Sequence, residues 1–81
     1  MALINTFEPD QPQRTGVHAP VRCTYFTFSG CDGKPYLQFS TYGSAGRKHP
    51  SIPSQTIQLD RNSMKQLARI LIEALDRAPP D

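Results

Sequence analysis

Residues 21–42, VRCTYFTFSGCDGKPYLQFSTY, decide the fold of this chain. Residues 21–28 and 36–42 are rich in the β-branched and aromatic side chains that are enriched in strands. Between them, the pair Asp32-Gly33 is typical of a tight turn. Two such runs around a turn signal predict an antiparallel hairpin.

A third strand and a helix are predicted after the hairpin. Residues 55–59, QTIQL, have strand character, and Asp60 is suited to cap a helix from about residue 61 to about residue 77. The apolar side chains of this helix recur at helical spacing: Met64, Leu67, Ala68, Leu71, Ala74 and Leu75. Ile70 and Ile72 widen the stripe, which favours a second subunit covering it and therefore a homodimer. Alternatively, apolar residues near the N-terminus cover its margin.

The predicted organisation is a single domain of residues 21–77 between a flexible arm, residues 1–20, and a disordered tail, residues 78–81. The arm is rich in proline, but Leu3, Ile4 and Phe7 are apolar and allow a short edge strand or a docking segment instead. The fold class that follows is α+β, with a small antiparallel sheet of three to four strands packed by one C-terminal helix.

The turn sets which side chains share a face of the sheet. If Asp32-Gly33 is a two-residue turn, Phe28 pairs with Leu37 and Phe26 with Phe39, giving an apolar face for the helix together with Ile57 and Leu59. The opposite face is then polar and carries three tyrosines. Its predicted binding residues are Tyr25, Tyr36, Gln38 and Tyr42.

The cysteines and the N-terminal residues bear on the cellular compartment of the protein. Cys23 and Cys31 are eight residues apart on extended chain, about 26 Å, which is too far for a disulfide and fits a reducing compartment. The N-terminus does not resemble a signal peptide, and no run of about 20 apolar residues is available to span a membrane. We therefore expect a cytoplasmic protein.

Charge raises the prospect of a polyanionic partner. The formal net charge is only +2, but residues 11–72 contain eight basic and two acidic side chains. Within them, residues 43–49, GSAGRKH, combine glycines with adjacent cations, which suits contact with a phosphate backbone. Arg22, Arg47 and Lys48 are the predicted phosphate-binding residues.

These features predict a binding protein and not an enzyme. The sequence shows no nucleophile with a base and an orienting group at a spacing typical of a catalytic site. The cysteines and histidines lack the paired spacing of a zinc site, so neither metal nor cofactor is expected. The favoured function is binding of single-stranded DNA or RNA by a homodimer. The alternative is a small protein-interaction, inhibitor or accessory protein that uses the tyrosine-bearing face.

Two resemblances accompany this interpretation. The segments 36–42, 55–60 and 64–71 resemble small uncharacterised bacterial proteins that carry Thr-Tyr-Gly-Ser and Ser-Gln-Thr-Ile-Gln-Leu before a helix. By topology alone, the chain also resembles the positive-cofactor-four transcriptional coactivators, which have a curved antiparallel sheet and one helix. That resemblance implies dimerisation and binding of single-stranded DNA, and it assigns no site residue.

Overall fold

The computed structural model describes residues 1–43 and 52–79. It contains one four-stranded sheet and one C-terminal helix, which confirms the predicted α+β class. The strands follow the order β1-β4-β3-β2 across the sheet. The elements are β1 (Ala2–Ile4), β2 (Cys23–Ser29), β3 (Pro35–Thr41), β4 (Gln55–Leu59) and α1 (Arg61–Arg77).

The sheet is mixed, which corrects the expectation of a purely antiparallel one. Strand β1 pairs in parallel with β4, placing Ala2 beside Ile57 and Ile4 beside Leu59. The predicted flexible arm therefore contains the short edge strand that its apolar residues allowed. Residues 5–22 lie outside any helix or strand. The backbone nitrogen of Phe7 donates to Gln66 Oε1 at 2.7 Å, which holds this part of the arm against the helix.

The hairpin turn is one residue longer than predicted. Gly33 N donates to Gly30 O at 2.9 Å, and Gly30 N donates to Lys34 O at 2.9 Å. The loop is therefore Cys31-Asp32-Gly33, with Gly33 in the left-handed region at φ 76°. A three-residue loop that ends on a left-handed glycine is a common hairpin connection, and it competes with the two-residue turn for the same Asp-Gly pair.

The longer loop shifts the register and corrects the predicted faces. Tyr25 lies opposite Phe39, and Phe26 lies opposite Gln38. Because directly paired residues share a face, the six-residue apolar face proposed from the sequence does not form. The apolar face of the sheet instead consists of Ile4, Tyr25, Leu37, Phe39, Ile57 and Leu59. The opposite face, called here the aromatic face, carries Phe26, Phe28, Tyr36, Gln38, Ser40 and Gln58.

Helix α1 begins as the sequence predicts. Asp60 caps it by accepting a hydrogen bond from Ser63 N at 2.9 Å, and the hydroxyl of Ser63, which is fully buried, bonds to the same residue. Leu59, at 1 % exposure, is the one fully buried apolar side chain among the described residues, and it lies on the apolar face. Helix α1 contacts β3 and β4, and the burial of Leu59 indicates that the first two turns of the helix cover the apolar face.

The second half of α1 is exposed. The shielded helix residues, Ser63, Met64, Gln66 and Leu67, all belong to its first two turns. Leu71 and Leu75 continue the same apolar stripe but are exposed to 53 % and 74 %. Among the described residues, no helix has the length and apolar character that crossing a membrane requires.

Candidate binding surface

Three aromatic rings form a continuous strip on the aromatic face. The ring centroids of Phe26 and Phe28 are 5.8 Å apart, and Phe28 stacks on Tyr36 at 5.6 Å with 26° between the planes. These distances fall within the range of favourable aromatic contacts. Phe28 and Tyr36 are half-buried, whereas Phe26 remains 51 % exposed on a face that polar side chains otherwise dominate. The strip therefore offers one open ring beside two that are held in place.

A cation extends the aromatic face at the end of the sheet where β2 begins and β3 ends. The Arg22 Cζ atom lies 3.8 Å from the ring centroid of Tyr42. Backbone pairing continues past the strands, since Tyr42 N donates to Arg22 O at 3.2 Å. Arg22 and Tyr42 therefore pair directly, and both lie on the aromatic face, as the alternation of side chains along β2 and β3 requires. Arg22 thus lies on the same face as Tyr36 and Gln38, with which the sequence grouped it as a binding residue.

Polar side chains occupy the centre of the aromatic face. The Gln58 amide donates to Gln38 Oε1 at 3.0 Å across the β3–β4 pair. Thr24 Oγ1 lies 3.3 Å from the Tyr42 hydroxyl. Hydroxyl and amide groups of this kind donate and accept hydrogen bonds, so the face combines planar rings with groups able to bond to base edges.

The other end of the face, at the hairpin turn, carries a hydrogen-bonded carboxylate and a lysine. The Tyr36 hydroxyl donates to the Asp32 carboxylate at 2.6 Å, and Lys34 N donates to the same group at 3.0 Å. These hydrogen bonds hold the pKa of Asp32 below its usual range, and the Tyr36 bond contributes most. The bond to Asp32, followed by partial burial, raises the pKa of Tyr36. The positive charge of Lys34 also lowers the pKa of Asp32, so the turn end carries one charge of each sign.

Tyr36 also packs over a glycine. A Cβ atom added at Gly30 would lie 2.7 Å from Cε2 of the Tyr36 ring and 2.9 Å from the Asp32 carboxylate. The absent side chain at Gly30 thus allows Tyr36 to stack on Phe28 and to reach Asp32 at the same time.

The structure divides the site residues predicted from the sequence. Arg22, Tyr36, Gln38 and Tyr42 lie together on the aromatic face, whereas Tyr25 lies on the opposite face and is 74 % exposed there. Arg47 and Lys48 lie outside the described residues, as does most of the glycine-containing loop. Sequence reasoning missed Phe26 and Phe28, because the shorter turn assigned both to the helix-covered face.

The remaining reactive side chains form no cluster in the described part of the chain. Cys23 and Cys31 are free and exposed, as the length of strand between them predicted. Residues 1–43 and 52–79 contain no group of three or more histidine, cysteine or acidic side chains placed to hold a metal ion.

The fold and this face define a small α+β domain with an exposed aromatic sheet surface. No protein-family model, curated protein sequence or solved structure matches the chain.

Proposed function

We propose that the protein is a non-catalytic domain that binds single-stranded nucleic acid through the aromatic face, acting as a homodimer. The observation that carries the proposal is the aromatic strip of Phe26, Phe28 and Tyr36, with the Arg22–Tyr42 pair on the same face. Stacking on exposed aromatic side chains contributes about 1–3 kcal/mol per base, and any base can take part because each has a planar face.

Phe26 is the primary stacking residue in this proposal. Half of its surface is open, and its contact with Phe28 restricts the ring, so a base finds a partly ordered platform. Phe28 and Tyr36 support the platform from the turn side. The Gln38 amide lies directly across the strand pair from Phe26 and can hydrogen-bond a base edge.

Arg22 supplies the cation for the backbone phosphates and a second planar surface. Its guanidinium lies over Tyr42, and arginine planes stack on bases as aromatic rings do. At the opposite end of the face, Asp32 and Lys34 carry opposite charges. We expect the nucleic-acid backbone to follow the Arg22 end of the face.

The flat arrangement favours a single strand over a duplex. Bases in a double helix are stacked on one another and present only their edges, so rings on a sheet cannot reach their faces. A single strand exposes those faces without the energetic cost of melting base pairs. The excess of basic residues between positions 11 and 72 provides sequence-independent attraction to either form.

A fluorescence-anisotropy titration of the full chain tests the proposal, using a labelled 20-nucleotide oligo(dT), its RNA counterpart and a duplex of equal length. We expect single strands to bind more tightly than the duplex, and affinity to fall steeply between about 50 and 200 mM salt. Absence of binding to any of the three at the lower salt concentration contradicts the proposal. Preference for the duplex contradicts the stacking mechanism.

A further inference from the structure

We infer that two copies of the chain associate through the C-terminal half of α1. The surface, called here the C-terminal stripe, consists of Ala68, Leu71, Ala74 and Leu75, flanked by Ile70 and Ile72. This inference rests on the homodimer within the proposed function and adds the place where the copies meet.

The apolar stripe of α1 extends beyond the part of the helix that the sheet covers. Met64 and Leu67 are half-buried, whereas Leu71 and Leu75, one and two turns further along, are mostly exposed. The 17-residue helix is about 26 Å long, and the sheet shields only its first two turns. An amphipathic stripe stabilises a helix only where it is buried, so the second half needs another surface.

The exposed side chains of this half of α1 are large and apolar. Ile70, Leu71, Ile72 and Leu75 are 41, 53, 60 and 74 % exposed, and they lie close together in the second half of one helix. A group of exposed apolar side chains of this kind marks a protein–protein interaction site.

The charge of the second half of α1 suits a second copy of the same chain. Between Arg69 and Arg77 the helix carries two basic and two acidic side chains, so this half has no net charge and does not repel its own copy. The C-terminal stripe itself contains no charged residue. Its alanines allow close approach of a second helix, while its leucines fill the space opposite, and a two-fold axis sets the stripe against itself.

Self-association also agrees with the thin interior of the domain. Leu59 is the single fully buried apolar side chain in the described residues, and small domains with little core commonly gain stability from a second subunit. Because α1 covers the apolar face, pairing through α1 leaves the aromatic faces of both copies open to nucleic acid.

Light scattering coupled to size-exclusion chromatography tests this interface on the full chain. The test variant is Leu71→Gln/Leu75→Gln. The matched control, Lys65→Gln/Asp76→Gln, changes two residues on the polar side of the same helix and leaves the net charge unchanged. We expect the native chain and the control to have twice the 9.1 kDa chain mass, and the test variant to have the monomer mass with its helical circular dichroism retained.

A cross-linking measurement covers the case in which the test variant fails to fold. In a Cys23→Ser/Cys31→Ser background, Ala74→Cys should give a disulfide-linked dimer on mild oxidation, whereas Lys65→Cys should not. If the test variant is still a dimer, this interface is wrong but the proposal of a homodimer stands. The same follows if Thr27→Lys, at the β2 edge, produces a monomer while the helix variant does not. A monomeric native chain overturns both the interface and the homodimer. Nucleic-acid binding is tested separately by the oligonucleotide titration.

Discussion

The guanidinium carbon of Arg22 lies 3.8 Å from the centre of the Tyr42 ring, at the end of the sheet furthest from the hairpin turn. The contact fixes a positive charge on the same face as Phe26. At the opposite end of the face, Asp32 and Lys34 carry opposite charges.

Replacing Arg22 tests its contribution to nucleic-acid binding. We expect Arg22→Gln to weaken oligo(dT) binding about 10-fold at low salt and to reduce the slope of log affinity against log salt by about 0.7, as one lost phosphate contact should. The control is Arg14→Gln, which removes the same charge from the segment outside any helix or strand. Equal weakening by both variants would show that net charge, and not the Arg22–Tyr42 contact, determines affinity.

The hairpin loop gives a prediction about stability. Gly33 has φ 76°, a conformation that costs other L-residues about 1–2 kcal/mol. Gly33→Ala should therefore lower the free energy of unfolding by that amount, and Gly33→Asn should lower it less, because asparagine tolerates this region better. Urea denaturation measures both. No loss of stability in the alanine variant would contradict the three-residue loop.

That loop explains what the sequence could and could not predict of the hairpin. Both strands were predicted within two residues of their observed bounds, because β-branched and aromatic residues mark them. The register was not, because Asp32-Gly33 suits a two-residue turn as well as a three-residue loop with glycine in third place. The difference of one residue moves Tyr25 away from Tyr36 and Tyr42, and brings Phe26 and Phe28 to them.

The Tyr36–Asp32 hydrogen bond predicts a pH dependence. The lowered pKa of Asp32 means that its stabilising effect is present once the carboxyl is ionised and is lost as pH falls through that pKa. The raised pKa of Tyr36 means that its contribution is present below the usual tyrosine range and is lost as pH rises through the raised pKa. The bond therefore supports the turn between those two limits.

Tyr36→Phe isolates this bond. The variant keeps the ring that stacks on Phe28 but cannot donate to Asp32, so the pKa of Asp32 should rise toward its ordinary value. Carboxyl chemical shifts followed by NMR across an acid titration measure it. An unchanged Asp32 titration would mean that Lys34 N, and not Tyr36, holds the pKa down.

The helix cap gives an independent prediction about folding. Asp60 accepts from Ser63 N and contacts the buried Ser63 hydroxyl. Asp60→Ala should lower the free energy of unfolding by about 1–2 kcal/mol, and Asp60→Asn by less, because asparagine also caps helices. Thermal denaturation of the pair measures the difference. Equal stability of the alanine variant and the native chain would contradict the cap.

The helix was predictable because its signals are local. Asp60 and the apolar periodicity from Met64 to Leu75 lie within one stretch of chain. Strand β1 was predictable only as one of two alternatives, since three residues carry little periodicity and the partner strand is more than 50 residues away. The position of the aromatic face depends on the loop register, which no single stretch of sequence determines.

The most direct measurement of the central claim compares Phe26→Ala with Tyr25→Ala in oligo(dT) binding. The two residues are adjacent in β2, both aromatic and both exposed, but they lie on opposite faces of the sheet. We predict that Phe26→Ala weakens binding about 10-fold, in line with the loss of one stacked base, and that Tyr25→Ala changes it less than two-fold. Equal effects, or a larger effect of Tyr25→Ala, would contradict binding through the aromatic face.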